Sequence, residues 1–129
     1  MNERINHDAT ILVVDDEESL SELVSSALRF AGYTVQTESN GFDALRNVKA
    51  ATPDLIVLDV NMPEKNGFEV CETIRARNEW SHIRIIMLTA HGRDIEREKG
   101  LALGADDYVT KPFATQEVVS KVQEVLEQS

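Results

Sequence analysis

The sequence predicts an α/β fold in which a doubly wound, five-stranded parallel sheet is covered by helices on both faces. Short apolar runs rich in β-branched residues alternate five times with segments whose apolar residues recur at helical spacing. The third run, residues 55–59 (LIVLD), is apolar without alternation, which is typical of a parallel strand buried on both faces. We therefore expect five strand-helix units joined by right-handed crossovers.

The first two units are defined by apolar runs and by the residues that end them. Residues 11–14 form a β-branched run that stops at four acidic residues, and the apolar residues of 20–28 then follow helical spacing. Residues 33–38 alternate as a strand near a sheet edge does. A second helical pattern over 42–48 cannot continue past Pro53.

The last three units repeat the pattern. After the strand at 55–59, the predicted elements are a helix over 68–74, a strand over 83–88, a helix over 93–103, a strand over 105–110 and a final helix with apolar positions between 118 and 126. The fourth helix is polar in its first half and apolar only at Ile95 and 101–103. We expect it to be weakly anchored to the core.

Of the doubly wound strand orders, the flavodoxin-like order 2-1-3-4-5 suits five strands. It makes the first and third strands neighbours, and ligands bind in the crevice beyond the carboxyl ends of the strands. We therefore expect Asp15 and Asp16 to meet Asp59 in that crevice. Thr89 and Lys111 end the fourth and fifth strands at the same edge.

This group of side chains has the chemistry of a phosphate and metal site. Three neighbouring carboxylates repel one another, so either their pKa values rise or a cation neutralises them. Mg²⁺ fits because it takes hard oxygen ligands together with waters and phosphate oxygens. The Lys111 ammonium can meet a phosphate as a point charge, and the Thr89 hydroxyl can donate a hydrogen bond to it.

Each of these residues also has a purely structural interpretation. Asp15 and Asp16 can cap a helix, Asp59 can cap the following loop, Thr89 suits any strand, and Lys111 can belong to a turn. Singly, these interpretations are favoured. Because the residues end four different strands at one edge of the sheet, their combination favours a functional site.

The composition excludes several classes of protein. A length of 129 residues fits one domain, and 13 basic against 23 acidic residues give a net charge of −10, which repels nucleic acids and anionic lipids. We expect no direct contact with nucleic acid or membrane. Cys71 is the only cysteine, and residues 1–10 lack the apolar segment of a signal peptide. Both observations favour a cytoplasmic location.

Four motifs closely resemble those of the bacterial two-component response-regulator receiver domain, of the stand-alone kind found in chemotaxis-type regulators. They are residues 11–17 (ILVVDDE), 54–63 (DLIVLDVNMP) with Gly67, 86–90 (IMLTA) and 104–113 (GADDYVTKPF). The resemblance covers nearly the whole chain. It implies a single receiver domain over 1–129, with a short tail at 1–9 and no output domain.

The resemblance implies that Asp59 is the phosphoacceptor, receiving its phosphoryl group from a sensor histidine kinase, a phosphotransfer protein or a small phosphodonor. It further implies that Asp16, Asp59 and the backbone carbonyl of Asn61 hold Mg²⁺, or Mn²⁺ in its place, with Asp15 acting through water. Lys111 is expected to pair with the acyl phosphate. The protein is then a regulator that catalyses only its own phosphorylation and dephosphorylation, rather than an enzyme.

Further expectations concern the response to phosphorylation. By resemblance, Thr89 and Tyr108 form the switch, and the face made by the fourth helix, fifth strand and fifth helix binds a downstream protein or a second phosphorylated copy. Asn61 and His91 occupy the positions that tune phosphoryl lifetime. A cis peptide is expected between Lys111 and Pro112.

Two other functions are alternatives: a small aspartyl-phosphate phosphatase, whose family also begins with an apolar strand ending in aspartate, and an electron carrier, which would share the fold. A phosphatase of the haloacid dehalogenase type needs a second aspartate two residues after the first, where this chain has Asn61. A flavodoxin-like electron carrier needs a hydroxyl- and glycine-rich phosphate loop after the first strand, where residues 15–18 are all acidic.

Overall fold

Residues 8–128, which the computed structural model describes, form five strands alternating with five α-helices. The strands are β1 (Thr10–Val14), β2 (Thr34–Glu38), β3 (Leu55–Asp59), β4 (Arg84–Ala90) and β5 (Asp107–Lys111). The helices are α1 (Glu18–Phe30), α2 (Gly41–Ala51), α3 (Gly67–Arg75), α4 (Asp94–Ala102) and α5 (Thr115–Glu127). All strand pairs are parallel and the order is β2-β1-β3-β4-β5, which confirms the predicted fold class and order. Of the tail expected at 1–9, residues 1–7 lie outside the described part.

The core consists of two apolar layers, one on each face of the sheet. Val13 and Val57 pack in the layer formed with α1 and α5, whereas Leu12 and Ile56 pack in the layer formed with α2 and α3. All residues of β3 are buried, as its unbroken apolar run predicts. Each fully buried aliphatic side chain contributes about 1.5–3 kcal/mol to stability. The end of β3 is therefore held firmly in place.

Some boundaries differ from those read in the sequence. Strand β4 continues to Ala90, and β5 begins at Asp107 rather than at Ala105. A short 3₁₀ turn at Asn78–Trp80, which the sequence did not predict, buries the Trp80 side chain before β4. Its three residues are too few for a helical apolar pattern to show.

Helix α4 is weakly anchored, as predicted from its few apolar residues. The side chains of Ile95 and Leu101 are 70% and 44% exposed. The inward positions are Glu96 and Gly100. A Cβ atom on Gly100 would lie 3.2 Å from Cγ of Met87, so this side of the helix runs close to β4. The anchoring of α4 thus depends on a close backbone approach and on a buried carboxylate.

Candidate functional site

The acidic residues that end β1 and β3 converge as predicted. Val14 is in register with Leu58, so the chain leaves both strands at the same level. Asp15, Asp16 and Asp59 each place a carboxylate oxygen within 4.8 Å of the others. Asp15 and Asp59 are buried, whereas Asp16 is exposed. The strand order alone brings these charges together.

A purely helix-capping role does not account for the pair after β1. The residue that caps α1 is Glu17, and its side chain makes no capping hydrogen bond. Asp15 Oδ1 accepts a hydrogen bond of 2.9 Å from the Glu17 N–H, which shapes the turn into the helix. Its other oxygen and the Asp16 carboxylate remain directed to the cluster of three carboxylates.

Lys111 supplies the positive charge of the site. Its Nζ lies 3.3 Å from Asp59 Oδ1 and 3.4 Å from Asp15 Oδ2, although the lysine ends the outermost strand on that side of the sheet. The peptide bond between Lys111 and Pro112 is cis, as the resemblance implied. The lysine thus joins the acidic ends of β1 and β3.

The buried charges perturb one another. Burial and the neighbouring Asp15 carboxylate raise the pKa of Asp59 to about 7, and the opposing effect of Lys111 only partly offsets them. Burial lowers the pKa of Lys111, but the carboxylates of Asp59 and Asp15 outweigh it, so the net shift of the Lys111 pKa is upward. One ammonium is therefore insufficient to neutralise the carboxylates.

The donor set fits a hard divalent cation. Asp15 Oδ2 is buried, and within residues 8–128 its ion-pair contact is with Lys111 Nζ at 3.4 Å. Three carboxylates with unused oxygen lone pairs at one strand end match the oxygen coordination of Mg²⁺.

The loop after β3 closes over the phosphoacceptor candidate. The Gly67 N–H donates to the Val60 carbonyl at 3.1 Å. A Cβ atom at Gly67 would lie 2.4 Å from the carbonyl oxygen of Asp59, so only glycine fits there. Within the loop, the Asn61 N–H donates to Asp59 Oδ1 at 3.3 Å. The Asp59 carboxylate is thereby oriented by its own loop as well as by Lys111.

The remaining predicted residues lie at or near the same edge. Thr89 is buried near the end of β4. Tyr108 is half-buried on β5, with the Arg97 guanidinium 5.1 Å from the centre of its ring. His91 is exposed in the turn after β4, and within the described chain it makes no hydrogen bond or ion pair to the three carboxylates. Its role in phosphoryl lifetime stays a prediction.

Sequence reasoning missed Glu96. This residue is only 5% exposed, and it accepts hydrogen bonds from the Ala90 N–H at 3.1 Å and from Asn61 Nδ2 at 3.4 Å. An acidic residue in a polar helical segment is normally solvated. The only available signal was the scarcity of apolar residues in α4, which leaves room for a polar residue to face inward.

Within residues 8–128, no helix combines the length and the apolarity that crossing a bilayer requires. The net charge of −10 belongs to the whole chain.

Comparisons with known proteins identify the family. The model of the response regulator receiver domain matches residues 11–123. The chain is 46% identical over 119 residues to the alkaline phosphatase synthesis transcriptional regulatory protein PhoP of Bacillus subtilis, covering 92% of this chain and 49% of that protein. It is 45% identical over 116 residues to the phosphate regulon transcriptional regulatory protein PhoB of Rhizobium meliloti, covering 90% of this chain and 51% of that protein. The chain thus spans about half the length of these relatives.

A solved structure of similar size supports the same family assignment. The chemotaxis protein CheY4 of Vibrio cholerae superimposes with a TM-score of 0.85 at 36% identity, covering 92% of this chain and 98% of that one. Neither the phosphatase nor the electron-carrier alternative is needed to explain the site. The chain belongs to the response regulator receiver domain family.

Proposed function

We propose that this chain is the phosphoacceptor domain of a two-component system or phosphorelay, and that Asp59 receives the phosphoryl group. The observation that carries the proposal is the arrangement around Asp59: Lys111 Nζ lies 3.3 Å from its carboxylate, and the Asp15 and Asp16 carboxylates are within 4.8 Å. In this proposal Asp59 is the nucleophile, Lys111 is its counter-charge, and the three carboxylates form an oxygen-rich cation site. The phosphodonor is the phosphohistidine of a sensor kinase or phosphotransfer protein.

The reaction uses Asp59 as a covalent nucleophile. An ionised carboxylate oxygen attacks phosphorus, the phosphorus–nitrogen bond breaks, and the histidine nitrogen leaves with the bonding electron pair while its ring takes a proton. Lys111 then pairs with an oxygen of the acyl phosphate. Because its stem is long and only its end is held, the ammonium can follow the new charge without backbone movement.

The residues that would hold Mg²⁺ are Asp16, Asp59 and the carbonyl of Asn61, with Asp15 acting through water. When bound, Mg²⁺ supplies positive charge against the attacking carboxylate and the transferred phosphoryl oxygens. The chain itself keeps Asp59 buried and fixed at the end of β3. The raised pKa of Asp59 supports a need for this cation, because only the ionised carboxylate attacks.

The readout is the face formed by α4, β5 and α5. Thr89 moves toward the phosphoryl group, and Tyr108 turns into the space that it leaves. The exposure of Ile95 and the contact of Arg97 with the Tyr108 ring support this proposal, because they couple a weakly anchored helix to the aromatic switch residue. Asn61 and His91 tune the lifetime of the phosphoryl group.

The partner at this face is a protein. The names of the PhoP and PhoB relatives describe transcriptional regulators, but this chain matches about half of each. Its net charge of −10 favours protein contacts over direct nucleic-acid contacts. We propose that it acts in the cytoplasm by binding a target, or a second copy of itself, when phosphorylated. It catalyses only its own phosphorylation and dephosphorylation and acts on no separate substrate.

Phosphotransfer profiling tests the proposal. Sensor kinases labelled on histidine are incubated with the protein and Mg²⁺, and transfer of label is followed over time. We expect rapid labelling by at least one kinase, no labelling of Asp59→Asn, and normal labelling of Asp54→Asn, which changes an aspartate at the opposite edge of the sheet. Labelling of Asp59→Asn at the wild-type rate would contradict the assignment.

A further inference from the structure

A third buried carboxylate, Glu96, lies beside the site without belonging to the acidic cluster. It is on the first turn of α4, and its Oε1 accepts from the Ala90 N–H at 3.1 Å. Its Oε2 accepts from Asn61 Nδ2 at 3.4 Å and lies 3.5 Å from Nη2 of Arg93. Glu96 thus joins α4 to the ends of both β3 and β4.

The direction of the Ala90 N–H shows that its hydrogen bond to Glu96 lies close to Asp59. Leu88 is in register with Asp59, and the Leu88 carbonyl accepts from the Val60 N–H at 3.1 Å. Backbone groups two residues apart on a strand point to the same neighbour. The Ala90 N–H therefore points to the β3 side, one step beyond the last of these ladder bonds, at the edge where Asp59 carries its carboxylate.

An amide in that position is a natural donor to an anion attached to Asp59. Backbone N–H groups must be satisfied, and those with no ladder partner bind side chains, water or ligands. In this structure the acceptor is Glu96. A phosphoryl group on Asp59 would bring three strong acceptor oxygens and a charge of about −2 to the same edge.

We propose that Glu96 competes with the phosphoryl group on Asp59 for the Ala90 N–H, and so holds α4 in place until Asp59 is modified. This inference rests on the proposed function of Asp59. Glu96 acts through Ala90 and Asn61 and does not touch the reacting atoms, so it is a positioning residue.

Loss of this contact has a direct consequence for α4. The apolar residues Ile95 and Leu101 are largely exposed, and Gly100 has no side chain to hold the helix. Glu96 is the buried residue of α4 that has a side chain. When the phosphoryl group takes the Ala90 N–H and repels the Glu96 carboxylate, α4 loses one of its few anchors. The exchange thereby links the chemistry at Asp59 to movement of the readout face.

A purely structural role for Glu96 predicts the opposite effect of mutation. If Glu96 only anchors α4, its replacement disorders the edge of the site and weakens binding of a phosphoryl group. If Glu96 competes for the amide, its replacement by a neutral and weaker acceptor strengthens that binding. The sign of the change therefore separates the two roles.

The test measures how tightly the full chain binds beryllofluoride, a phosphoryl mimic, in the presence of Mg²⁺. Saturation is followed by the NMR resonances of Thr89 and of the Ala90 amide. We expect Glu96→Gln to reach half-saturation at a concentration about threefold to tenfold lower than wild type, the effect of removing one competing hydrogen bond. Glu98→Gln, an exposed charge change on the same helix, should behave as wild type.

A second measurement uses only the wild-type protein and does not depend on the folding of a variant. On saturation with beryllofluoride, the Glu96 side-chain carboxyl resonance and the Asn61 side-chain amide resonances should shift as their contact is broken. Unchanged Glu96 and Asn61 resonances, or a Glu96→Gln variant that binds no more tightly than wild type, would overturn the inference. Failure of wild type to bind beryllofluoride would instead contradict the proposed function of Asp59, and the inference would fall with it.

Discussion

Lys111 Nζ lies 3.3 Å from Asp59 Oδ1, and this contact joins two strands that do not pair with each other. Strand β4 lies between them, so the backbones of β3 and β5 are about 10 Å apart. The lysine stem bridges that distance and brings a cation to a buried carboxylate. The balance of charge among Lys111, Asp59 and Asp15 determines how the stability of the protein responds to pH and to Mg²⁺.

Asp59→Asn should stabilise the protein at alkaline pH. The folded-state pKa of Asp59 is about 7, above the unfolded value of about 3.9, so the wild-type carboxyl contributes stability at low pH that is lost as the pH rises through 7. A neutral amide avoids this loss. We expect a gain in unfolding free energy of about 1–3 kcal/mol at pH ~8 without divalent cations, which disappears near pH ~4. Urea unfolding at both pH values measures this gain, and Glu98→Gln serves as the exposed control. An equal gain in unfolding free energy at both pH values would contradict the raised pKa of Asp59.

Mg²⁺ should stabilise the wild-type protein, and removal by EDTA should reverse the effect. At a concentration about 100-fold above the dissociation constant, the gain is about 2.7 kcal/mol. Asp15→Asn should be more stable than wild type without Mg²⁺, because one repelling carboxylate is gone, and should gain little from the ion. Thermal unfolding with and without Mg²⁺ checks this. A full Mg²⁺ response in Asp15→Asn would contradict a contribution of Asp15 to the ion's site, including one through water.

Gly67→Ala should destabilise the fold by about 1–3 kcal/mol, because the new Cβ meets the Asp59 carbonyl oxygen at 2.4 Å. The matched control is Gly92→Ala, where a Cβ has no neighbour within 4 Å and only the positive φ is unfavourable. That substitution should cost about 1 kcal/mol or less. Denaturant unfolding of the two variants measures the difference. Equal losses would mean that the loop over Asp59 can shift at little cost.

His91→Ala should change the rate at which the phosphorylated protein loses its phosphoryl group. The exposed imidazole, two residues beyond Thr89, can hydrogen-bond the attacking water or shield the phosphoryl group. Decay of the phosphorylated species is followed by intact mass at several pH values. His82→Ala, an exposed histidine before β4, serves as the control. A decay rate that stays at the wild-type value across the pH range would exclude this role.

The convergence of the site was predictable because it follows from topology. Once five parallel strands are recognised, the order 2-1-3-4-5 places Asp15 beside Asp59 and brings Thr89 and Lys111 to the same edge, without knowledge of side-chain conformation. The positions of these residues at the ends of the apolar runs, together with the strand order, are enough to predict that they converge.

The role of Glu96 was not predictable in the same way. Its burial depends on the rotation of α4 about its own axis, and too few apolar residues are present to fix that rotation from the sequence. The carboxylate is tolerated inside because the Ala90 N–H, from the end of β4, and the Asn61 side-chain amide, from the loop after β3, donate to it. The pKa of Asp59 was likewise beyond sequence reasoning, because it depends on the degree of burial.

The central claim is that Asp59 carries the phosphoryl group, and chemical trapping tests it most directly. The protein is phosphorylated with acetyl phosphate and Mg²⁺, the acyl phosphate is reduced with borohydride, and the modified residue is located by peptide mass spectrometry. We expect Asp59 to be converted to homoserine and Asp15 and Asp16 to remain unchanged. Trapping at another carboxylate, or none at Asp59 under conditions that phosphorylate the protein, would contradict the account.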